Sequence, residues 1–405
     1  MAHADHAAPA VRPALEVADI LRARADAYGA AHPLSPQQHR VVNDLIHCRT
    51  AALGGFKTHC DECGMVTIQY ASCRNRHCPK CQSLAQTQWV EKQCANLLDI
   101  GYWHVVFTLP HELNPLAQAN PAAIYKLLFK AASRTLLEFG HNPRWLGGEL
   151  GITMVLHTWG QNLGQHIHVH CIVTDGGLSP DKDRWLSPTR KGFLFPTRAL
   201  SKVFRGKYLD FLTTARRKGE LRSNPDSDDD HAFARLTAAL RSRDWVVYTK
   251  APFADTGQVL GYLGRYTHKT AVSNHRLVDF DGEHVRFRWR DYAHGNKVKV
   301  MQLDADEFIR RFLLHVLPHG FTRLRHYGLL ANRFRATKLA RCRELLGQPE
   351  PEPFVPENTQ AMMLRLTGKD ITVCEHCGHS PLRQVPISMA PPETVWQIPR
   401  PRPPP

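Results

Sequence analysis

"GQHIHVHCIV", residues 164–173, sets a histidine at every second position: His166, His168 and His170, with Ile167, Val169, Cys171 and Val173 in the alternate places. Side chains of a β-strand point alternately to the two faces of a sheet, so the imidazoles share one face and the apolar residues share the other. The pattern predicts a strand that enters a core on one side and presents a row of ring nitrogens on the other. One or two such histidines are ordinarily solvated edge residues. Three in alternation favour a metal, because neutral imidazole is the commonest protein metal ligand. Imidazoles alone leave the metal and the reaction open.

The flanking segments supply partners for this strand. "GITMVLHTW" (151–159) reads as a second strand able to pair antiparallel with it, and "GYWHVVFTLP" (101–110) and "DWVVYTKAPF" (244–253) read as further strands. "PAAIYKLLFKAASRTLLEFG" (121–140) has helical apolar spacing. Residues 14–53 predict two helices, the second begun by Ser35 as N-cap with Pro36 at the first helical position. "HRLVDFDGEHVRFRWRDY" (275–292) predicts a hairpin turning at Asp281-Gly282, with Arg286, Arg288 and Arg290 alternating on its second strand. "DADEFIRRFLLHVLP" (304–318) carries Asp304 and Glu307 in an N-terminal capping arrangement. "RSNPDSDDDHAF" (222–233) reads as a solvated charged loop, and the proline-rich stretch after about residue 386 as disordered.

A chain of 405 residues predicts two or three folded units. Lys and Arg outnumber Asp and Glu by 52 to 37, and the net charge of +15 suits a polyanion, nucleic acid first. No apolar run approaches the roughly 20 residues that span a bilayer, and the N-terminus has no signal-peptide core, so a cytoplasmic, nucleoid-associated protein is expected.

Five of the eleven cysteines fall in "CDECGMVTIQYASCRNRHCPKC" (60–81). Cys60-x2-Cys63 and Cys78-x2-Cys81 are paired knuckles, and two such pairs complete the tetrahedral coordination of a structural zinc. Cys73 and His77 exceed the needs of one site; they are either packing residues or part of a second site drawing on His47, Cys48 or His59. Arg74, Arg76 and Lys80 among the ligands point the module at a phosphate backbone. Further along, "CEHCGH" offers Cys374, Cys377 and His379, half a site that is either a smaller metal knuckle or a turn.

"GYLGRYTHKTAVSN" (261–274) puts Tyr262 and Tyr266 four apart, followed by Lys269; on a helix all three share a face. Alone, the tyrosines read as a packed aromatic pair. Beside a metal in a basic protein they read as nucleophiles, since a phenol can attack a phosphodiester when nearby charge from Arg265 and Lys269 and a polarising metal offset its pKa of about 10.

At this point the chain resembles a family. "CRTAALGG", "SCRNRHCPKCQ", "HVVFTLPHELNPL", "HVHCIVTDGGLS", "YLGRYTHKTAVSNHRL" and "GFTRLRHYGLLAN" look like blocks, in family order, of the rolling-circle transposases of the insertion sequence 91 type, within the wider class of HUH endonucleases. The resemblance covers about residues 35–335. It implies an α+β fold: an antiparallel-sheet HUH nuclease domain with helical elements, plus a small N-terminal zinc module. The expected division is 1–53 helical, 54–95 zinc-binding, 96–335 two-tyrosine catalytic, and 336–405 a basic knuckle region with a disordered tail. The resemblance further implies His168 and His170 as the metal motif, Tyr262 and Tyr266 as nucleophile positions, magnesium or manganese as cofactor, and single-stranded DNA as substrate. Ile167 stands where the family usually has a proline, which leaves His166 in register as third ligand, with Gln161 or Gln165 as competitors.

The function expected is strand nicking and rejoining in transposition through a 5′-phosphotyrosine, on single-stranded element termini and target. Because that bond conserves energy, and no GxxxxGK loop is present, no nucleotide cofactor is expected. The basic stretch 322–343, with Arg323 and Arg325, would join Arg286 and Arg288 in holding DNA. A replication initiator or relaxase would use the same chemistry; a zinc-dependent DNA-binding regulator would use none.

Overall fold

The computed structural model describes residues 13–389 apart from 82, 95–96, 191, 223–228, 254–257, 260, 262–263 and 265–270. The chain forms two units from interleaved segments: Met1–Gln88, His268–Val316 and Val355–Pro405 in one, Trp89–Thr267 and Leu317–Phe354 in the other.

The second unit contains the opening motif. Its sheet comprises β1 (Tyr102–Thr108), β2 (Glu149–Trp159), β3 (Gln165–Leu178), β4 (Trp185–Leu186), β5 (Val247–Phe253) and β6 (Leu324–Gly328). The order is β6-β2-β3-β1-β5, with β4 also pairing with β3, and every pairing is antiparallel. Alternation dictates its two faces. Trp103, Val105 and Phe107 from β1, Ile152, Met154 and Leu156 from β2, and Ile167, Val169, Cys171 and Val173 from β3 enter one core. Two long helices cover that face, α1 (Pro121–His141) through Leu128, Phe129 and Leu136, and α2 (Thr197–Arg217) through Phe204, Tyr208 and Leu212. Burying such side chains contributes about 1.5–3 kcal/mol each, which fixes the register and so forces the intervening histidines onto the opposite face.

The charged run was expected to be loop throughout 222–233. Residues 223–228 lie outside the described set, but a helix, Asp230–Ser242, begins within the run because the Asp229 carboxylate accepts from the backbone N–H of His231 at 2.9 Å.

In the first unit, helices Val17–Ala31 and Pro36–His47 match the expected pair, and Ser35 and Gln38 form a reciprocal capping box. The hairpin is present as strands Leu277–Phe280 and His284–Asp291, and a third strand, Lys297–Asp304, extends it. The capping expectation at Asp304 fails. Asp304 occupies the N-cap position of Ala305–Leu313 without a side-chain bond, because Glu307 is held instead by Arg310 and Arg311, both at 2.6 Å. A separate sheet joins Gly55–His59 to Val66–Tyr70 on one side and to Arg383–Ile387 on the other. Among the described residues no helix is long and apolar enough to cross a membrane.

Candidate functional site

On the face of the larger sheet opposite α1 and α2 the histidines of three strands meet, with His104, His157 and His168 buried. His157 of β2 lies directly opposite His168 of β3, and the ligand nitrogens of His157, His168 and His170 all fall within 4.8 Å of one another. The Nε2 atoms of His168 and His170 are 3.0 Å apart, about the separation of two ligands at right angles around an ion with metal–nitrogen bonds of about 2.1 Å. His168 Nδ1 donates to the carbonyl of His166 at 2.8 Å, which leaves its Nε2 lone pair facing the cluster. His170 Nδ1 is hydrogen-bonded at 2.9 Å to Nε2 of His104 on β1, and Trp159 stacks on His157 at 4.6 Å. The histidine row continues to β6, where His326 is hydrogen-bonded to Thr153 at 2.9 Å. Three imidazoles from two rigid strands form a nitrogen set able to hold a divalent ion.

His166 does not join this set. A register shift near the start of β3, between the His157–His168 and Trp159–Gln165 pairs, puts it outside regular pairing, where its side chain is exposed. The third imidazole is His157, supplied across the sheet rather than along the strand. The Gln165 side-chain oxygen accepts from the Gln118 amide at 2.7 Å.

The cysteines form two clusters, and the division differs from the expected one. Cys48, Cys73, Cys78 and Cys81 make one; Cys60 and Cys63 make the other with Cys374 and Cys377. Sγ–Sγ separations are 3.2 Å for Cys48–Cys81, 3.7 Å for Cys73–Cys81, 3.5 Å for Cys60–Cys377 and 3.6 Å for Cys63–Cys374. Four thiolates around one zinc at about 2.3 Å stand about 3.8 Å apart, so both sets fit a closed tetrahedral site; the described cysteines are free thiols. The two CxxC pairs cannot share an ion because Cys60 and Cys63 sit on the hairpin paired with the C-terminal strand, while Cys78 and Cys81 fold back against the end of the second helix. His77 is not a ligand; its ring and its backbone N–H both bond to the Asn75 side chain.

The expected DNA contacts divide as well. Arg74 and Arg288 are exposed, and Arg286 is exposed but paired with Asp279 at 2.7 Å. Arg76 and Arg323 are half-buried, and Arg325 packs over the Phe129 ring at 4.4 Å. Lys80 is committed inside the fold, bonded to Glu16 at 2.7 Å with both side chains about one-tenth exposed, and to the Cys48 carbonyl at 3.1 Å. Tyr262, Tyr266 and Lys269 lie outside the described residues. Just ahead of them, Val259 is fully buried against Tyr102, Val155 and Ile172, each two positions along its strand from a histidine of the same face.

Residues 20–109 match the family described as "Transposase zinc-binding domain", and residues 151–338 match the one described as "Putative transposase". Over 369 residues the chain is 50% identical to the "Putative transposase y4qJ" of Sinorhizobium fredii, covering 89% of this chain and 92% of that one. This is an insertion-sequence-91 family rolling-circle transposase. It is also 28% identical over 347 residues to the "Transposase for insertion sequence element IS801" of Pseudomonas savastanoi pv. phaseolicola, covering 83% of the transposase and 81% of the relative. Among solved structures, the conjugative relaxase TrwC in complex with oriT DNA is similar over 40% of the transposase and 68% of its own chain, at 13% identity and a TM-score of 0.24. The family assignment rests on the sequence relatives. The transposase is therefore an enzyme acting on DNA, with structural zinc in its N-terminal module.

Burial makes the histidine-bearing face of the transposase acid-sensitive. It lowers His168 to about 3, helped by neighbouring His166, and lowers His104 to about 4, helped by Lys250; His326 falls to about 4 through burial and then Arg335. Unfolded, each would take up a proton below its ordinary value of 6.5, whereas folded it stays neutral. The unfolded state thus binds more protons, so stability falls as pH drops below about 6.5 and continues to fall to about pH 3–4. Each histidine accounts for up to about 2 kcal/mol lost by pH 5. Urea titrations of metal-free transposase at pH 7 and pH 5 are expected to show a lower midpoint at pH 5, most of the difference disappearing when His104 and His326 are replaced by glutamine.

Proposed function

We propose that the transposase cleaves and rejoins single DNA strands through a covalent bond between a tyrosine and the 5′ phosphate. The observation that carries this reading is the convergence of His157, His168 and His170 on the face where the segment leading to Tyr262 and Tyr266 is docked by Val259. The three imidazoles would hold a divalent ion, and His104 would fix the ring of His170 through its hydrogen bond. Such an ion, when bound, polarises the scissile phosphate. Tyr262 or Tyr266 would attack the phosphorus, the bond to the 3′ oxygen would break, and a 3′ hydroxyl would leave. Since one phosphodiester replaces another, attack by a 3′ hydroxyl reverses the step without a nucleotide cofactor. Of magnesium and manganese, the imidazole set suits manganese better, because nitrogen donors bind first-row transition ions more readily than magnesium.

Single-stranded termini of the element and its target are the substrate on this reading, and the protein works at the nucleoid, in the cytoplasm. Residues 48–88, with Cys374 and Cys377 from the C-terminal segment, would form the zinc module, and Trp89–Thr267 with Leu317–Phe354 the catalytic region. Arg74 and Arg288 would contact phosphate. Replacing either by alanine is expected to lower the slope of log affinity against log salt by about 0.7, the single-strand value per phosphate contact. Lys80→Ala is expected to leave the slope unchanged and lower the melting temperature, because it strands Glu16.

The test is incubation of the full chain with labelled single-stranded DNA bearing the element's terminus and manganese, followed by denaturation. A protein–DNA adduct is expected. Binding without an adduct would instead identify a zinc-dependent DNA-binding regulator.

A further inference from the structure

We propose that Cys374 and Cys377 complete, with Cys60 and Cys63, a second zinc-tetrathiolate site that ties the C-terminal strand to the N-terminal hairpin. The family match for zinc binding ends at residue 109, so it takes in only half of this ligand set.

The two halves are the same small structure built twice. Cys60-Asp61-Glu62-Cys63-Gly64 and Cys374-Glu375-His376-Cys377-Gly378 share the order CxxCG. In the first, Gly64 N donates to the Cys60 carbonyl at 3.0 Å and Cys60 N donates to the carbonyl of Met65, five residues on, at 2.9 Å. In the second, Gly378 N donates to the Cys374 carbonyl at 2.9 Å and Cys374 N donates to the carbonyl of His379, again five residues on, at 2.9 Å. Both loops turn on a glycine with left-handed backbone, φ 71° at Gly64 and 75° at Gly378, where added side chains would meet nothing within 4 Å. Backbone conformation rather than crowding therefore calls for glycine. Each loop points both thiols inward at the fixed spacing a tetrahedral ion needs, and neither can satisfy four-coordination alone.

The strands deliver the halves to each other. Gly55–His59 and Arg383–Ile387 pair in unbroken antiparallel register from Gly55–Ile387 to His59–Arg383, which brings the two loops to the same end of the sheet. There Arg383 bonds to Asp61 across the pair of loops at 3.3 Å. The other cysteine cluster already has four thiols of its own, so Cys60 and Cys63 have no alternative partners in Cys78 and Cys81. Zinc entry displaces the thiol protons to solvent, giving a site of net charge −2 beside the Arg383 guanidinium.

Zinc per chain, measured by atomic emission on purified full-length protein, tests this directly. Cys374→Ser/Cys377→Ser is expected to hold one zinc fewer than wild type, Cys78→Ser/Cys81→Ser likewise, and the losses to add. Wild-type zinc content in the Cys374→Ser/Cys377→Ser protein would overturn the assignment. Should that protein fail to fold, alkylation of native wild type decides, since Cys63 and Cys377 are both exposed to solvent. Protection of Cys60, Cys63, Cys374 and Cys377 until chelator is added, followed by labelling of all four, is the expected result. Immediate labelling of Cys377 with Cys63 still protected would rule the shared site out.

Discussion

His157→Ala is expected to slow strand cleavage by more than 100-fold, as severely as His168→Ala, whereas His166→Ala stays within about threefold. The expectation follows from placement. His157 stands directly across from His168, and its nearest ring nitrogen belongs to the same cluster, while His166 lies exposed at the register shift and meets His168 through its backbone carbonyl and a ring contact at 4.8 Å. Loss of a residue that merely orients a ligand costs about 10–100-fold in metal affinity or activity, so loss of a ligand exceeds that range. His104→Ala, which removes the hydrogen bond to His170, should fall inside it and recover as manganese is raised. Initial rates of adduct formation against manganese concentration separate these cases. A severe His166→Ala defect beside a mild His157→Ala defect would return the third ligand to the histidine strand.

The tyrosine substitutions have the larger effect. Removing a covalent nucleophile costs on the order of 10⁴-fold or more, because nothing else in the site can form the bond. Tyr262→Phe and Tyr266→Phe, assayed separately, are expected to differ: one abolishes the first adduct, and the other permits cleavage but fails to take up a second strand. The double substitution should give no adduct while binding DNA with unchanged affinity, since neither phenyl ring removes charge. Denaturing gels of reactions with one and with two labelled strands report both steps. Full adduct yield from the double substitution would remove the tyrosines from the mechanism.

Much of this architecture was legible in the chain, wherever the information was local. The period-two pattern of residues 164–173 gave the strand, its direction into the core and the face carrying His168 and His170, because alternation is a property of consecutive residues. The Ser35 cap and the Asp281-Gly282 turn were legible for the same reason. What escaped lay in pairings between distant segments. His157 sits in "VLHTW", whose alternation places it opposite Leu156, yet only the register with His168 brings it into the cluster. The division of the cysteines followed sequence proximity, which favoured joining Cys60 and Cys63 to Cys78 and Cys81. The true partners are 311 residues away for Cys63 and Cys374, and no spacing rule reaches that far. Lys80 has the charge and the neighbours of a DNA contact, and only the ion pair with Glu16, 64 residues away, withdraws it into the fold.

The pairing of Gly55–His59 with Arg383–Ile387 also sets the order in which the protein can be made. At about 5–20 residues per second, the ribosome delivers Cys374 about 15–60 s after Cys63. Throughout that interval the Gly55–His59 strand has a neighbour on one side only, and its other edge stays open to any extended chain nearby. A copy of the element truncated ahead of residue 383 would leave that edge uncovered for good. Its product would be prone to clump before it met DNA, so loss of the covering strand would silence the transposase even with every catalytic residue intact.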